Sequence, residues 1–299
     1  MDFQSENNVK IAVASGKGGT GKTFLSTNIF YSLAREGIKV TLADCDAEAP
    51  NAAAFFKLPE AESLPVTLKV PEIDANVCTF CGLCHEYCNY GAIFYLPEAR
   101  MIRVLDDLCH SCGACSVACH FNAITEKEVE VGRVNTFRNG GGMEIVEANM
   151  RIGAMTPVPV IRKAISRAAS NQSLLILDAP PGTSCPFVHT VAAADYVILV
   201  TEPTPFGLSD LRQSVETLRQ MEKPFGVVIN RAGMGNTSVA DYLEEQKIEL
   251  LLEIPFDREI ARLNSEGKLV AENDHELSGK LVSMVKNINF EYGNSHHQR

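Results

Sequence analysis

The sequence lacks the long apolar run that a membrane-spanning helix requires. No uninterrupted apolar stretch approaches the roughly 18 residues needed to cross a bilayer. It also lacks an excess of positive charge, since 27 Lys and Arg stand against 37 Asp and Glu, for a net charge of −10. Residues 1–10 are polar and lack the apolar core of a secretion signal. These absences predict a cytoplasmic protein with no stable membrane insertion and no nucleic acid partner.

Cysteine, in contrast, is abundant and unevenly placed. Eight of the ten cysteines form two runs with the spacing Cys-x-x-Cys-x-x-Cys-x-x-x-Cys. The runs are Cys78, Cys81, Cys84 and Cys88, then Cys109, Cys112, Cys115 and Cys119. Such clusters without an export signal favour metal binding in a reducing compartment over disulfides. The spacing lets one loop supply three corners of an iron–sulfur cube, so two such clusters are favoured over structural zinc.

The second cysteine run repeats the first at a shift of 31 residues. Gly82 corresponds to Gly113, and residues 91–93 correspond to 122–124 at the same shift. A duplication of this extent is difficult to obtain by chance. We therefore expect residues 74–127 to form a small α+β unit of their own.

A glycine-rich loop provides the second strong pattern. Residues 16–23 fit G-x-x-x-x-G-K-[ST] and lie between a predicted strand at 10–15 and a predicted helix at 22–36. The glycines let backbone N–H groups converge on phosphate oxygens, and a helix N-terminus favours negative charge. In such a loop Lys22 supplies positive charge to the β- and γ-phosphates, and Thr23 reaches Mg²⁺. The pattern predicts a nucleotide-hydrolysing protein that uses ATP and Mg²⁺.

Apolar strands and helices alternate along the rest of the chain. A second strand is predicted at 39–44, followed by an irregular, proline-containing segment at 61–71. Further strands are predicted at 128–134, 174–178, 196–201, 226–230 and 249–254, and helices at 160–169, 208–221, 238–246 and 276–287. The alternation predicts an α/β fold with a doubly wound, mostly parallel sheet. The nucleotide domain is thus predicted in two segments, 1–73 and 128–299, with the cysteine unit 74–127 inserted between them.

The glycine-rich loop resembles the deviant Walker A motif of the MinD, Mrp and nitrogenase iron-protein ATPases. Lys17 stands at the early lysine of that motif. The resemblance implies that Lys17 reaches across a dimer interface and stabilises charge in phosphoryl transfer to or from the partner's nucleotide. Without the resemblance, Lys17 is a solvated loop lysine. The loop residues implied to bind the nucleotide are Gly18, Gly19, Thr20, Gly21, Lys22 and Thr23. The implied assembly is a nucleotide-dependent homodimer, or a heterodimer with a related ATPase.

The same resemblance assigns roles to polar residues that follow predicted strands. It implies that Asp46 orients the attacking water, and that Asp44 or Asp46 lies near Mg²⁺. Asp178 matches the second switch, where it would hold a magnesium-bound water, and Gly182 would meet the γ-phosphate. Asn51 lies where family members often carry a switch asparagine.

Two later matches concern the adenine base. Asn230 follows a predicted strand at the position of the family's adenine-reading asparagine. Pro255 and Asp257 match its late base-contacting loop. Without the resemblance, Asn230 is read as a cap or turn residue.

The cysteine unit resembles the two-cluster bacterial ferredoxins, in which the fourth cysteine of each run serves the other cluster. The implied ligands of one [4Fe–4S] cluster are Cys78, Cys81, Cys84 and Cys119, and those of the other are Cys109, Cys112, Cys115 and Cys88. Those ferredoxins usually have proline after the fourth cysteine, where this chain has Asn89 and His120. Since proline is not a ligand, cluster binding is expected to survive this departure.

Cys185 raises a separate possibility. It lies seven residues after Asp178, the offset of a cluster-binding cysteine in the nitrogenase iron protein. That family's second ligand lies upstream, and no cysteine occurs between Cys119 and Cys185. A cluster that bridges two subunits and an ordinary unliganded cysteine both stay open at this point.

Together these patterns predict a dimerising, Mg²⁺-dependent ATPase that exchanges electrons with a redox protein partner through two [4Fe–4S] clusters. One alternative is an iron–sulfur cluster carrier of the Mrp type, although eight ferredoxin-spaced ligands favour clusters that are held permanently. The other is a MinD- or ParA-like positioning ATPase, which the acidic net charge and the missing basic tail disfavour.

Overall fold

The computed structural model describes residues 9–139, 142–171 and 173–293, so the polar segment 1–8 lies outside the described residues. The chain forms two compact units. The first comprises 1–63, 134–149 and 161–299, and the second comprises 64–133 and 150–160. The predicted insert 74–127 lies within the second unit, which also includes the segment that follows residue 149.

Short strands alternate with helices along most of the first unit. The strands are β1 (Lys10–Ala14), β2 (Val40–Asp44), β3 (Glu60–Ile73), β4 (Ile93–Leu96), β5 (Met101–Val104), β6 (Ile124–Arg138), β7 (Glu144–Met150), β8 (Leu174–Asp178), β9 (Tyr196–Thr201), β10 (Phe225–Ala232) and β11 (Leu250–Pro255). The α-helices are α1 (Lys22–Arg35), α2 (Leu83–Glu86), α3 (Ala114–Ala118), α4 (Val158–Ala169), α5 (Cys185–Ala192), α6 (Pro205–Gln220), α7 (Ser238–Glu245), α8 (Arg258–Ser265) and α9 (His275–Tyr292). A short 3₁₀ turn, Ala52–Phe55, follows β2.

The large sheet has the strand order β11-β10-β9-β1-β8-β2-β7-β6-β3. The neighbouring pairs from β11 through β7 are parallel. Helices α1, α4, α5, α6 and α7 each connect two of these parallel strands. The carboxyl ends of parallel strands meet at one edge of a sheet, where ligands bind in such folds. The loops after β1, β2 and β8 therefore share one edge.

Helices α1 and α9 cover part of this sheet. Phe30 and Leu33 of α1 are fully buried in the main apolar core. The last helix, α9, buries in the same core an apolar stripe that consists of Leu277, Leu281, Val282, Val285 and Ile288. The last helix thus packs on its own domain, as its pattern indicates. Within the described residues, no helix combines the length and apolarity that crossing a bilayer requires.

The segment 61–71, predicted to be irregular, is instead part of the continuous strand β3. Pro65 and Pro71 lie inside this strand. Among the described strands β3 lies at one of the two edges of the sheet, so part of its backbone has no neighbouring strand to pair with. Proline lacks an N–H and is tolerated at such an edge. The prediction was wrong because the proline content does not reveal an edge position.

Other elements differ from the prediction mainly at their ends. Helix α6 begins at Pro205 rather than 208, because the Thr204 hydroxyl accepts a hydrogen bond from the Gly207 N–H at 3.0 Å. A capping Thr followed by Pro is a favourable helix start. Strand β6 extends beyond the predicted 128–134 at both ends. Strand β7 and helices α5 and α8 were not predicted.

A buried asparagine joins helix α1 to the segment before α9, and we predict that its loss destabilises the fold. The Asn28 amide donates to the Phe24 carbonyl at 2.7 Å and accepts from the Ala271 N–H at 2.8 Å. Because Asn28→Ala leaves that buried N–H unpaired, we expect the free energy of unfolding to fall by about 1–3 kcal/mol. Urea denaturation measures this change. The exposed Asn287→Ala on α9 is the control, and an equal loss there would contradict the explanation.

Candidate functional site

The glycine-rich loop and two aspartates meet at the carboxyl edge of the parallel sheet. The loop follows β1, while Asp44 ends β2 and Asp178 ends β8. Asp178 is in register with Val13 of β1 on one side and with Asp44 on the other. These three adjacent strands bring together groups that are far apart in the sequence.

Lys22 lies at the start of helix α1 and is only 8% exposed. Burial lowers its pKa, and this effect is opposed by the negative charges of Asp178, Asp46 and Asp44. The lysine therefore has three carboxylates near it and little water. Because α1 also presents backbone N–H groups at its N-terminus, the position suits the binding of phosphate.

The Asp178 carboxyl group is buried, and in the ranges that the structure describes its oxygens lack the hydrogen-bond donors that a buried carboxyl group normally has. Among the described residues, neither of its oxygens has a hydrogen-bond partner of normal geometry. Burial raises its pKa to about 6, partly opposed by the nearby Thr23 hydroxyl and the Lys22 charge. A buried carboxylate without partners beside a threonine hydroxyl fits Mg²⁺, which prefers oxygen ligands and keeps several waters. Asp178 and Thr23 are thus the residues suited to hold this ion, directly or through water.

Asp44 has a different environment from Asp46. The Asp44 carboxylate accepts hydrogen bonds from the backbone N–H groups of Asp46 at 3.0 Å, Asn51 at 2.8 Å and Ala52 at 2.9 Å. Burial and the neighbouring Asp178 raise the pKa of Asp44 well above its usual range. Asp44 therefore holds the loop that carries Asp46, whereas Asp46 itself is half-buried. Of the two, Asp46 is better placed to act on a ligand.

Two consecutive residues donate hydrogen bonds to backbone carbonyl groups of the glycine-rich loop. Asn230 donates to the Thr20 carbonyl at 2.8 Å, and Arg231 donates to the Gly19 carbonyl at 3.4 Å. Gly21 has a φ of 98°, and a Cβ there would collide with the Asn230 amide. Only glycine combines this positive φ with the lack of a Cβ that the close approach of Asn230 requires. Asn230 thus contacts the loop itself in this structure.

Glu202, which follows β9, was not singled out from the sequence. Its carboxylate is bound by Arg231 and lies 3.7 Å from the Lys17 ammonium group. The side chain of Glu202 is only 10% exposed, whereas that of Lys17 is 32% exposed. Lys17 is therefore paired within its own chain. The signal that could have revealed Glu202 is an acidic residue directly after a buried strand at the ligand-binding edge.

The remaining predicted nucleotide residues lie in loops of the same unit. Gly182 has a φ of 90° and donates its N–H to the Ser15 carbonyl at 3.2 Å, which places it beside the loop. Pro255 ends β11. The Asp257 carboxylate accepts from the Glu259 N–H at 2.7 Å and caps α8. The structure thus shows a capping role for Asp257, and its contact with a base stays a prediction.

The second unit gathers the eight clustered cysteines around two cavities. One cavity is lined by Cys78, Cys81, Cys84 and Cys119. The other is lined by Cys88, Cys109, Cys112 and Cys115. In each set, three cysteines come from one run and the fourth comes from the other run. The chain thus places four sulfurs at each of two separate cavities.

Both halves of this unit repeat the same local conformation. Phe80 and Ser111, which are 31 residues apart, have φ angles of 58° and 56°. Their N–H groups donate to Cys78 and Cys109 sulfurs, each at 3.4 Å. Left-handed non-glycine residues are uncommon, so their repetition reflects a shared requirement of the loops. Backbone N–H groups directed at sulfur stabilise bound thiolates and tune cluster potentials.

Four cysteines at one cavity are the ligand set that a four-iron cluster would require. Burial raises the pKa of the Cys84 thiol to about 11, so a bound metal must displace its proton. Within the described part of the chain, no three His, Cys, Asp or Glu side chains converge as ligands of one ion do. In a cubane each thiolate binds a different iron, which keeps the four sulfurs farther apart. Four sulfurs around a cavity suit that arrangement.

The two remaining cysteines lie in the first unit. Cys45 is fully buried, and burial raises its pKa well above the usual range. Cys185 is exposed at the first residue of α5. Cys45 is thus a core residue, and a cluster shared between subunits at Cys185 stays a hypothesis.

Comparison with known proteins identifies the family. The CobQ/CobB/MinD/ParA nucleotide binding domain matches residues 11–270. The chain belongs to this family. An uncharacterized protein of Methanocaldococcus jannaschii is 30% identical to it, over 86% of this chain and 90% of the relative. An iron-sulfur cluster carrier protein of Pyrococcus horikoshii is 24% identical, over 93% of this chain and 87% of the relative.

The fold agrees with that of solved members of the CobQ/CobB/MinD/ParA family. The septum site-determining protein MinD of Pyrococcus horikoshii, in complex with Mg-ADP, superposes with a TM-score of 0.57 at 18% identity. The match covers 94% of this chain and 96% of that protein. The predicted mostly parallel α/β fold of MinD-type P-loop ATPases is therefore confirmed.

The variant Asp178→Asn tests whether the buried, ionised carboxylate of Asp178 lowers the stability of the fold. Burial raises the pKa of Asp178 to about 6, above its ordinary value of 3.8, so its ionisation as pH rises weakens the folded state. The protonated Asp178 carboxyl group stabilises the folded state fully below both pKa values, and this contribution is lost as the pH rises through 6. Without Mg²⁺ or nucleotide, we expect the variant to match the wild type near pH 4 and to exceed it by roughly 3 kcal/mol at pH 8.

Denaturation curves at several pH values measure this difference. The control is Glu48→Gln, which removes an exposed carboxylate from the loop after β2. A stability difference that stays constant with pH for Asp178→Asn would contradict a buried, ionised Asp178.

Proposed function

We propose that this protein is a Mg²⁺-dependent ATPase whose nucleotide state is coupled to electron transfer through two [4Fe–4S] clusters. The observation that carries the proposal is the pair of four-cysteine cavities in one chain with a P-loop ATPase domain. Permanent ligand sets are suited to electron transfer, because a cluster bound by four cysteines of one chain is released with difficulty.

At the nucleotide site, the proposal assigns phosphate binding to Lys22 and to the backbone N–H groups of 18–23. Thr23 and Asp178 hold Mg²⁺, directly or through water, and Asp46 orients the attacking water. The support is the buried, unpartnered carboxylate of Asp178 beside Lys22. Four further residues are proposed to contact the nucleotide when it is bound, namely Gly182, Asn230, Pro255 and Asp257.

Lys17 is proposed to act across a dimer interface, in a homodimer or a heterodimer with a related ATPase. It is paired with Glu202 in the single chain at 3.7 Å and keeps a third of its side chain exposed. Glu202 is also bound by Arg231, so it keeps one cationic partner if Lys17 moves away. The arrangement is therefore compatible with transfer of Lys17 to a partner's nucleotide.

Residues 74–127, which lie within the second unit, are proposed to be a ferredoxin-like domain inserted between the segments 1–73 and 128–299. The ligand sets are the two groups of four cysteines that line the cavities. When bound, the clusters supply one-electron chemistry. Reducing cytoplasm, where thiols stay reduced, is the compartment that suits these ligands, and a redox protein is the proposed partner.

An iron–sulfur cluster carrier is the second candidate. A relative that bears this name covers nearly the whole chain at 24% identity. A carrier must release its cluster, so transfer to an apo-acceptor, faster with ATP, would favour it. Clusters that stay bound during repeated reduction would favour electron transfer.

Two variants separate the two proposed sites. We expect Lys22→Ala to weaken ATP binding by at least about tenfold while it leaves the visible cluster absorbance unchanged, because the lysine supplies charge to phosphate alone. We expect Cys112→Ser to lower iron content and cluster absorbance while it spares ATP binding. Iron analysis and calorimetric titration with MgATP measure both effects. If folded Cys112→Ser protein loses ATP binding, the two sites are not separable.

Coupling is measured on anaerobically purified protein by the EPR signals of reduced clusters, with and without MgATP. We expect MgATP to change a signal or its reduction potential, because the nucleotide alters the loops around Asp46 and Asp178. MgADP and the Lys22→Ala variant are the controls. Two reducible clusters that do not respond to nucleotide would contradict the proposed coupling.

A further inference from the structure

Three acidic residues form a row across adjacent strands at the ligand-binding edge. Asp178 of β8 is in register with Asp44 of β2, and Asp44 is in register with Glu147 of β7. All three are at least 90% buried. Asp178 and Asp44 belong to the nucleotide site, whereas Glu147 has no part in it. Such a buried carboxylate requires a specific partner, because burial without one is costly.

The partner of Glu147 is the short 3₁₀ turn Ala52–Phe55, which follows the loop that carries Asp46. Its carboxylate accepts a hydrogen bond from the Ala53 N–H at 2.9 Å. The two preceding N–H groups, of Asn51 and Ala52, donate to Asp44 at 2.8 and 2.9 Å. Three successive N–H groups of one turn are thus shared between carboxylates on two neighbouring strands. The turn cannot shift relative to β2 without also changing its bond to β7.

The chain leads from this turn to the second unit and back again. Downstream of Ala52–Phe55 lies β3, and the boundary between the two units falls within that strand. Glu147 lies on β7, which follows β6, and the first return boundary falls within β6; residues 150–160, from the end of β7 onward, belong to the second unit again. The hydrogen bond between Ala53 and Glu147 therefore joins the outgoing connection to the returning connection, next to Asp44.

We propose that Glu147 is a positioning residue that couples the loop carrying Asp46 and Asn51 to the two chain connections of the cysteine unit. This inference rests on the proposed function, because it names the element through which nucleotide state would reach the clusters. Movement of the loop on nucleotide binding is passed to β7 through the Ala53 N–H. Coupling of this kind needs an element with two arrangements that the site biases.

Two substitutions remove this bond from opposite sides. Glu147→Leu removes the acceptor and keeps an apolar side chain of similar size. Ala53→Pro removes the donor, and proline is tolerated early in a helical turn. Glu147→Gln keeps an acceptor oxygen and serves as the conservative variant. Glu144→Leu is the matched control, because Glu144 lies on the same strand but pairs with Arg167 at 3.4 Å.

The experiment measures the change that MgATP causes in the EPR signal of the reduced clusters, on the full-length protein loaded with iron and sulfide. We expect the MgATP-dependent change in the EPR signal to be at least about threefold smaller in Glu147→Leu and Ala53→Pro than in the wild type. The ATP affinity of both variants should stay within about twofold of wild type. Glu147→Gln and Glu144→Leu should keep the MgATP-dependent change. Iron content and cluster absorbance verify that each variant retains both clusters.

The outcomes separate this inference from the function on which it rests. If the wild type responds to MgATP and both bond-breaking variants respond equally well, the role of Glu147 is wrong and the proposed function stands. If Glu144→Leu loses the response as fully as Glu147→Leu, the effect is a general one of β7 and the inference is overturned. If the wild type itself shows no response, the proposed coupling fails, and this inference fails with it.

Discussion

The nucleotide site depends on the charge balance between Lys22 and the aspartates at the carboxyl edge of the sheet. Asp44 and Asp178 are almost completely buried, and each raises the pKa of a neighbouring group. Two carboxylates in register on adjacent strands repel each other strongly where water is excluded. Lys22 offsets part of that repulsion, and a divalent cation would offset more. The two buried carboxyl groups therefore impose an electrostatic cost on the fold.

This cost is distributed unevenly between the two aspartates. Asp44 uses its oxygens on three backbone N–H groups, which hold the loop that carries Asp46. Asp178 has no such partners among the described residues and keeps its coordination capacity for a ligand. Similar positions on neighbouring strands therefore serve different purposes, because one strand is followed by a tight loop and the other is not.

In the cysteine unit, duplication of one loop supplies four cysteines to each of two cavities. A cubane needs four thiolates at fixed corners, and a single short loop supplies only three of them. Two copies of one loop, each contributing its fourth cysteine to the cavity of the other, place four cysteines at both cavities, which is the number that the proposed clusters need. The repeated left-handed residues Phe80 and Ser111 show that each copy keeps the same backbone conformation. Exchange of the fourth cysteine ties the two halves together, so neither cavity is complete without both runs.

The sequence by itself determined the features that depend on local spacing. The P-loop at 16–23, the two cysteine runs and the alternation of strands and helices were all readable, because each rests on residues close together in the chain. The strand β3 was not, since its prolines are acceptable only at a sheet edge. Glu202 and Glu147 were also missed, because their partners are distant in sequence. Tertiary structure alone decided which strands are neighbours, and hence which buried carboxylates lie near a lysine and which accept hydrogen bonds from backbone N–H groups.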